Sequence, residues 1–182
     1  MGYYAVIDTE TSWSDKVISI GVVIADEQSF RPVDGKYYVI EPTYKEGGMY
    51  ANALDLRNKN TIISYREKVI TDILVFFRKY NISAIFAYNA AFDYRHLQEL
   101  NGFEWYDIMS IAAYKQYNRS IPATAECCNT GKLKKNYGVE PIMQMLCGSK
   151  CYCERHNALQ DALDELRIMQ LLGVDLKMYK CI

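Results

Sequence analysis

Two acidic residues, Asp8 and Glu10, follow the apolar run from Tyr3 to Ile7. A strand directs residues two positions apart to the same face, so both carboxylates emerge on one side of the chain. Paired carboxylate oxygens are the ligands that hard divalent ions prefer. This segment alone leaves a second interpretation open, in which the two acids simply begin a solvated turn.

A third acid, Asp93, lies near the start of a predicted helix. The apolar run from Ala84 to Ala87 indicates a buried strand, and Asn89 is a good N-cap for a helix that continues to Asn101-Gly102. Asp93 then lies in the first turn, where the helix dipole favours its charged form. An ordinary acid at a helix start is the alternative.

His156 and Asp161 accompany another predicted helix, which runs to a stop at Gly173. Three leucines at helical spacing form its core stripe, namely Leu159, Leu163 and Leu166. Asp161 lies on the opposite side of that stripe. The alternative here is a solvated acidic face that Asp161 shares with Asp164 and Glu165.

Taken together and in this order, the three segments resemble the DnaQ-like 3′-to-5′ exonucleases, specifically the DEDDh group of the ribonuclease H-like superfamily. The matching residues are Asp8 and Glu10 in the first motif, Asn89 and Asp93 in the second, and His156 and Asp161, with HxxxxD spacing, in the third. The resemblance covers Tyr3 to about Gly173. It implies an α/β fold: a ribonuclease H-like mixed β-sheet, with an antiparallel meander plus parallel strands, flanked by α-helices. Two weaker points of resemblance to this family are Asp107 and the segment Leu133 to Val139, over which a short helix is expected.

The resemblance also implies a chemistry for these side chains. Hydrolysis of a phosphodiester is promoted by two divalent ions about 4 Å apart, which activate water and neutralise developing charge. Asp8 would bridge two Mg²⁺ or Mn²⁺ ions. Glu10 and Asp161 would hold the ion that activates the water, and Asp93 would support the second ion. His156, with an ordinary pKa of about 6.5, would be the general base.

Residues beside the motifs are the candidates for substrate binding. Aromatic faces stack on unpaired bases without demanding a sequence, which favours Trp13 and Tyr94. The resemblance implies that the terminal nucleotide is held near Thr9 and Thr11, together with Asn89. The net charge of −1 excludes a protein with a broad basic footprint, so substrate binding is expected to be local.

The order of elements predicts a single exonuclease domain over residues 1–182, with its motifs within residues 3–173 and a C-terminal tail over residues 174–182. Strands are expected at three places near the N-terminus: Tyr3 to Ile7, Val17 to Ala25 and Lys36 to Ile40. Ile62 to Tyr80 has a helical pattern, and the chain after Ala87 is expected to be mostly helical. Pro42 to Asn60 is the longest irregular segment, and two interpretations of it stay open: a border of the substrate groove or an ordinary surface connection.

The chain contains no apolar run long enough for a membrane span and no signal-like start, which predicts a cytoplasmic protein that does not bind membranes. Its cysteines are therefore expected to be reduced. Zinc binding is the alternative for five of them: Cys127, Cys128, Cys147, Cys151 and Cys153.

The sequence thus predicts a metal-dependent exonuclease that releases nucleoside 5′-monophosphates from the 3′ ends of single-stranded DNA or RNA. Two alternatives stay open: a catalytically silent protein of this fold that binds nucleic acid or a protein partner, and a cysteine-based metal or redox sensor. A polymerase, a repair complex and a second copy of the chain are candidate partners. The choice between DNA and RNA depends on contacts to the 2′-hydroxyl, which motif spacing does not reveal.

Overall fold

A computed structural model describes residues 2–182 and places a seven-stranded mixed sheet at the centre of the protein. The strands are β1 (Tyr3–Thr11), β2 (Val17–Asp26), β3 (Pro32–Glu41), β4 (Thr61–Tyr65), β5 (Ala84–Ala87), β6 (Glu104–Asp107) and β7 (Lys180–Cys181). Their order across the sheet is β4-β3-β2-β1-β5-β6-β7. Strands β1 to β3 form an antiparallel meander, whereas β5 runs parallel to β1 and β6 runs parallel to β5.

Helices cover both faces of this sheet. They are α1 (Arg66–Tyr80), α2 (Ala91–His96), α3 (Met109–Ala112), α4 (Val139–Cys147) and α5 (Ala158–Leu172). Alternate residues of β1 enter the two cores, as period-2 geometry requires. Ala5 and Ile7 pack with α1, while Tyr4 and Val6 pack with α4 and α5. This architecture confirms the predicted fold class of a mixed sheet flanked by helices.

The helix predicted over Ile62 to Tyr80 is wrong at its start. Thr61–Tyr65 forms β4, which pairs in parallel with β3, and α1 begins only at Arg66. A β-branched run of Thr61, Ile62 and Ile63 suits a strand, and pairing with β3 decides its conformation. The predicted helix therefore covered both most of β4 and the helix α1 that follows it.

Two further helix predictions are wrong. Leu133 to Val139 is not helical, because Leu133 bridges to Cys127 and α4 begins only at Val139. The chain after Ala87 is less helical than expected, since β6 and β7 add two strands to the sheet. β7 places the C-terminal tail beside β6, with Tyr179 buried just before it.

None of the helices among residues 2–182 is both long enough and apolar enough to cross a membrane. The six cysteines all carry free thiols.

Gly21 allows α5 to approach the sheet where β1 and β2 are paired. A Cβ at this position would lie 2.1 Å from the carbonyl oxygen of Ala158, the first residue of α5. We expect Gly21→Ala to lower the free energy of unfolding by about 1–3 kcal/mol, the usual cost of overpacking. Urea unfolding measures this change. Gly102→Ala is the matched control, because no atom lies within 4 Å of its added Cβ, and equal stability of the two variants would contradict the close approach.

Candidate active site

Asp8 and Glu10 lie within β1 itself, opposite Gly21 and Ser19 of β2. Their side chains are two positions apart in a continuous strand and therefore leave the same face of the sheet. Both residues are half-buried, and Oδ2 of Asp8 is buried without a hydrogen-bond partner among residues 2–182. The strand thus presents two carboxyls at its C-terminal end.

Asp93 reaches the same region from the neighbouring strand, because β5 runs parallel to β1 and is followed by α2. The Asp93 side chain is only 2% exposed, and it accepts a hydrogen bond of 2.7 Å from the hydroxyl of Thr9. Asp93 occupies the first turn of α2, as predicted. Successive side chains of β1 point to opposite faces, so Thr9 points away from Asp8 and Glu10. Its hydroxyl can therefore donate the hydrogen bond to Asp93.

The start of α2 differs from the prediction. Ala90 is the N-cap residue, and Asn89 instead has a left-handed backbone with φ of 59°. The Asp107 carboxylate accepts a hydrogen bond of 3.0 Å from the backbone N–H of Asn89 and another of 3.0 Å from that of Met109. α2 ends at His96, well before the predicted stop at Asn101-Gly102, and a short 3-10 turn follows.

His156 and Asp161 complete the cluster from the N-terminal end of α5. Asn157 is the N-cap, and its side chain accepts a hydrogen bond from the backbone N–H of Gln160. Asp161 is 3% exposed, and its Oδ1 has no hydrogen-bond partner within residues 2–182. Three atoms that could bind a metal ion lie within 4.8 Å of one another: a carboxylate oxygen of Glu10, a ring nitrogen of His156 and a carboxylate oxygen of Asp161. Residues from β1 and α5 therefore meet at one point.

Burial and mutual repulsion hold these acids in an energetically unfavourable state. The pKa of Glu10 is raised to about 8, and the pKa values of Asp93 and Asp161 are raised to about 7. Burial is the largest cause for all three. The pKa of Asp8 is also raised by burial, and then by the charges of Asp93, Glu10 and Asp161. Bound cations would reverse this penalty.

Glu165 is a further buried acid. The alternative in which Asp161, Asp164 and Glu165 share a solvated face is wrong for Asp161 and Glu165, because both are buried. The Glu165 side chain is 2% exposed and accepts a hydrogen bond of 3.1 Å from the backbone N–H of Tyr88. Burial raises its pKa, as do the charges of Asp8 and Asp93. The signal was present in the spacing, because Glu165 lies four residues after Asp161 and so on the same helix face.

The other predicted substrate contacts differ in how exposed they are. Trp13 is 72% exposed just beyond β1, and Asn89 is also exposed. Tyr94 is half-buried and packs edge to face on Trp105, with ring centroids 5.7 Å apart. Thr11 is half-buried at the end of β1. Trp13 is therefore the predicted aromatic contact with the most surface available to a ligand.

The donor set of this site fits hard divalent cations. It contains several carboxyls and one imidazole, and two buried carboxylate oxygens lack partners, on Asp8 and Asp161. Carboxylate oxygens are the preferred ligands of Mg²⁺ and Mn²⁺. Within residues 2–182 the cysteines do not belong to any comparable group of three ligand atoms.

The raised pKa values predict how stability depends on pH. Glu10 and Asp161 keep their protons to higher pH in the folded chain than in the unfolded chain, so the folded state binds more protons between about pH 4 and pH 8. In EDTA, we therefore expect the free energy of unfolding to fall as pH rises through this window. Ion-paired surface acids such as Asp72, whose pKa is lowered, contribute their own pH dependence only below it.

Urea unfolding at about pH 5 and about pH 8, in EDTA and in Mn²⁺, measures this dependence. Mn²⁺ is expected to stabilise the protein most at the higher pH, because the cation binds the charged form of the carboxyls. A free energy of unfolding that rises with pH in EDTA across the window would show that the carboxyls do not repel one another as described.

Solved structures of several other proteins share this fold. The nuclease domain of 3′hExo, described as a DEDDh family member and bound to rAMP, is 15% identical, with a TM-score of 0.66 over 99% of this chain and 96% of that one. The chain has the fold of the DEDDh exonuclease nuclease domains. Exonuclease X in complex with 5′-overhanging duplex DNA shares this exonuclease fold at 20% identity, with a TM-score of 0.57 over 96% of each chain.

A further structure with the exonuclease fold is the zinc-bound complex of E. coli ExoI with ssDNA. It is 10% identical, with a TM-score of 0.64, and covers 95% of this chain but 40% of ExoI. No protein-family model and no curated protein matches the sequence. The likeness therefore lies in the fold, which agrees with the family that the motifs resemble.

Proposed function

We propose that the chain is a metal-dependent 3′-to-5′ exonuclease, a single domain that hydrolyses the single-stranded ends of DNA or RNA and releases nucleoside 5′-monophosphates. One observation carries this proposal: Glu10, His156 and Asp161 converge within 4.8 Å at the end of β1, where Asp8 and Asp93 add two further carboxyls. A protein that served only as a scaffold would have no physical reason to bury several mutually repelling acids together.

Asp8, Glu10, Asp93 and Asp161 would hold two divalent cations, Mg²⁺ or Mn²⁺. Cations bound there supply activation of water and neutralisation of charge on the phosphoryl oxygens. The unpartnered buried oxygens of Asp8 and Asp161 support this assignment. Thr9 keeps the Asp93 carboxylate in place through its hydroxyl.

His156 is suited to accept a proton from the attacking water. Its imidazole lies beside Glu10 and Asp161, and burial lowers its pKa from the ordinary value. The ring is therefore neutral near pH 7, with a nitrogen lone pair free to accept a proton. Proton removal at this position is the role of a general base.

Thr9, Thr11, Trp13, Asn89 and Tyr94 are the proposed substrate contacts. rAMP, ssDNA and duplex DNA are bound in the three structures with the same fold, which supports a nucleic-acid end as the substrate of this chain. Among residues 2–182, Trp13 is the large hydrophobic residue with the most exposed side chain. Its ring would stack on an unpaired base.

We expect Trp13→Ala to weaken the binding of a short single strand on the order of tenfold, because stacking of one base on an aromatic ring contributes about 1–3 kcal/mol. Fluorescence anisotropy with a labelled oligonucleotide in Ca²⁺ measures the affinity without turnover. Val75→Ala, which removes an exposed side chain on α1, is the control. Unchanged affinity in Trp13→Ala would remove Trp13 from the substrate site.

The direction of cleavage tests the proposed function. Single-stranded DNA and its RNA counterpart, each labelled at the 5′ end, are incubated with Mg²⁺ or Mn²⁺, and EDTA is the control. Stepwise shortening that keeps the 5′ label supports the proposal, and the faster polymer identifies the preferred substrate. Binding of both polymers by folded protein without any cleavage would overturn it in favour of a catalytically silent binding protein.

A further inference from the structure

The imidazole of His156 is held in an unusual setting. His156 has a left-handed backbone, with φ of 54°, which costs a residue other than glycine about 1–3 kcal/mol. One ring nitrogen lies within 4.8 Å of carboxylate oxygens of Glu10 and Asp161, two acids whose charge and protonation change with pH and with bound cations. A packing contact that does not depend on those charges would keep the ring in one orientation.

Tyr50 supplies that packing. Its ring stacks on the imidazole, with centroids 3.7 Å apart and an interplanar angle of 13°. This parallel contact covers one face of the imidazole and restricts its rotation about χ2, while the ring edge stays directed to Glu10 and Asp161. A ring that is already held in this orientation loses less rotational freedom than a freely rotating ring when it accepts a proton from a water molecule between those acids.

The segment that carries Tyr50 is attached to β1 on one side. Gly48 packs directly on the end of that strand, where a Cβ would lie 2.4 Å from the carbonyl oxygen of Thr11. The backbone N–H of Trp13 donates a hydrogen bond of 3.3 Å to the carbonyl of Gly47. Tyr50 is thereby positioned relative to the strand that carries Glu10.

The same segment is attached to α5 on its other side. Nδ2 of Asn157 donates a hydrogen bond of 3.1 Å to the carbonyl oxygen of Ala53. Asn157 follows His156 directly and is the N-cap of the helix that carries Asp161. The segment that carries Tyr50 is therefore fixed both to the end of β1 and to the start of α5, the two elements that carry Glu10 and Asp161.

We propose that Tyr50 is a positioning residue that holds the imidazole of His156 in the orientation a general base requires. The inference rests on the proposed function. The contact between the two residues is between ring faces, with centroids 3.7 Å apart, so Tyr50 is assigned no proton transfer. Its contribution is a flat aromatic face, which phenylalanine supplies equally well.

NMR of the imidazole C–H groups tests the holding directly, because the chain contains only two histidines. The ring current of Tyr50 shifts the His156 signals upfield in the wild type. We expect this shift to persist in Tyr50→Phe, to disappear in Tyr50→Ala and to remain in Met49→Ala, which alters the exposed neighbouring residue. Identical His156 signals in all four proteins would overturn the proposal.

Kinetics test the consequence for catalysis. We expect Tyr50→Ala to lower kcat about 10- to 100-fold with little change in KM, the scale expected for a misplaced reacting group. Tyr50→Phe should stay within about twofold of the wild type, because it keeps the stacking face. A change confined to KM, or an unchanged kcat in Tyr50→Ala, would overturn the positioning role.

These two measurements separate the positioning role from the proposed function. The NMR comparison needs no turnover, so it reads the contact between Tyr50 and His156 even if the protein hydrolyses neither polymer. Absence of turnover in the wild type would instead overturn the exonuclease assignment.

Discussion

Asp161→Asn is expected to abolish hydrolysis and to make the metal-free protein more stable. The amide removes the charge of a proposed cation ligand and should lower turnover by at least about 10²- to 10³-fold, the scale of losing one preorganised electrostatic contact to the transition state. The same change removes a buried carboxyl whose pKa is raised to about 7 by burial and by the charges of Glu154 and Asp164. We expect a gain on the order of 1–2 kcal/mol, or about 2–8 °C in Tm, above neutral pH in EDTA.

Thermal unfolding in EDTA and a turnover assay in Mn²⁺ together measure the two effects. Asp164→Asn is the matched control, because Asp164 lies on the same helix, is partly exposed and accepts a hydrogen bond from Tyr152. It should alter neither turnover nor Tm by a comparable amount. A lower Tm for Asp161→Asn at about pH 8 would show that the wild-type Asp161 carboxylate stabilises the fold. That result would contradict a site whose charged carboxylates destabilise the protein when no cation is bound.

His156→Ala is expected to lower turnover by about 10²- to 10⁴-fold, the usual contribution of general acid–base catalysis. Metal binding should largely persist, because Asp8, Glu10 and Asp161 keep their carboxylates. Single-turnover kinetics with bound substrate measure the chemical step, and calorimetric titration with Mn²⁺ measures the metal affinity.

His96 provides the comparison within the same chain. Its Nε2 lies 3.0 Å from Oδ1 of Asp15 and its Nδ1 lies 2.8 Å from the carbonyl oxygen of Phe92, so it joins α2 to the turn after β1. We expect His96→Gln to lose stability while the chemical step keeps its rate. Near-normal turnover in His156→Ala would overturn the assignment of the base.

The elements that carry the motifs could be predicted because their signals are local. Strand β5 has the bounds that its apolar run predicted, and α5 ends at Leu172, directly before the left-handed C-cap at Gly173 where the stop was predicted. Strand β1 extends further than its apolar run, to Thr11, because β2 pairs with the polar residues as well. The carboxyls of Asp8 and Glu10 consequently start from a rigid strand.

The contacts that shape the site could not be predicted, because they join residues distant in sequence. The hydroxyl of Thr9 meets Asp93 across 84 positions, and Tyr50 reaches His156 from the irregular segment between β3 and β4. The spacing of Glu165 placed it on the face of Asp161, but its burial depends on the backbone of Tyr88 after β5. The start of α2 also depends on a distant residue, because the carboxylate of Asp107, from β6, accepts a hydrogen bond from the backbone N–H of Asn89 in the turn before the helix.

The chemical identity of the product tests the central claim most directly. Wild-type protein and Asp161→Asn are incubated with unlabelled single-stranded DNA and RNA in Mn²⁺ or EDTA, and the released nucleotides are identified by mass spectrometry. We predict nucleoside 5′-monophosphates from the wild type in Mn²⁺ alone. Nucleoside 3′-phosphates, or equal release in EDTA or by Asp161→Asn, would contradict a cation-dependent exonuclease that uses this carboxylate cluster.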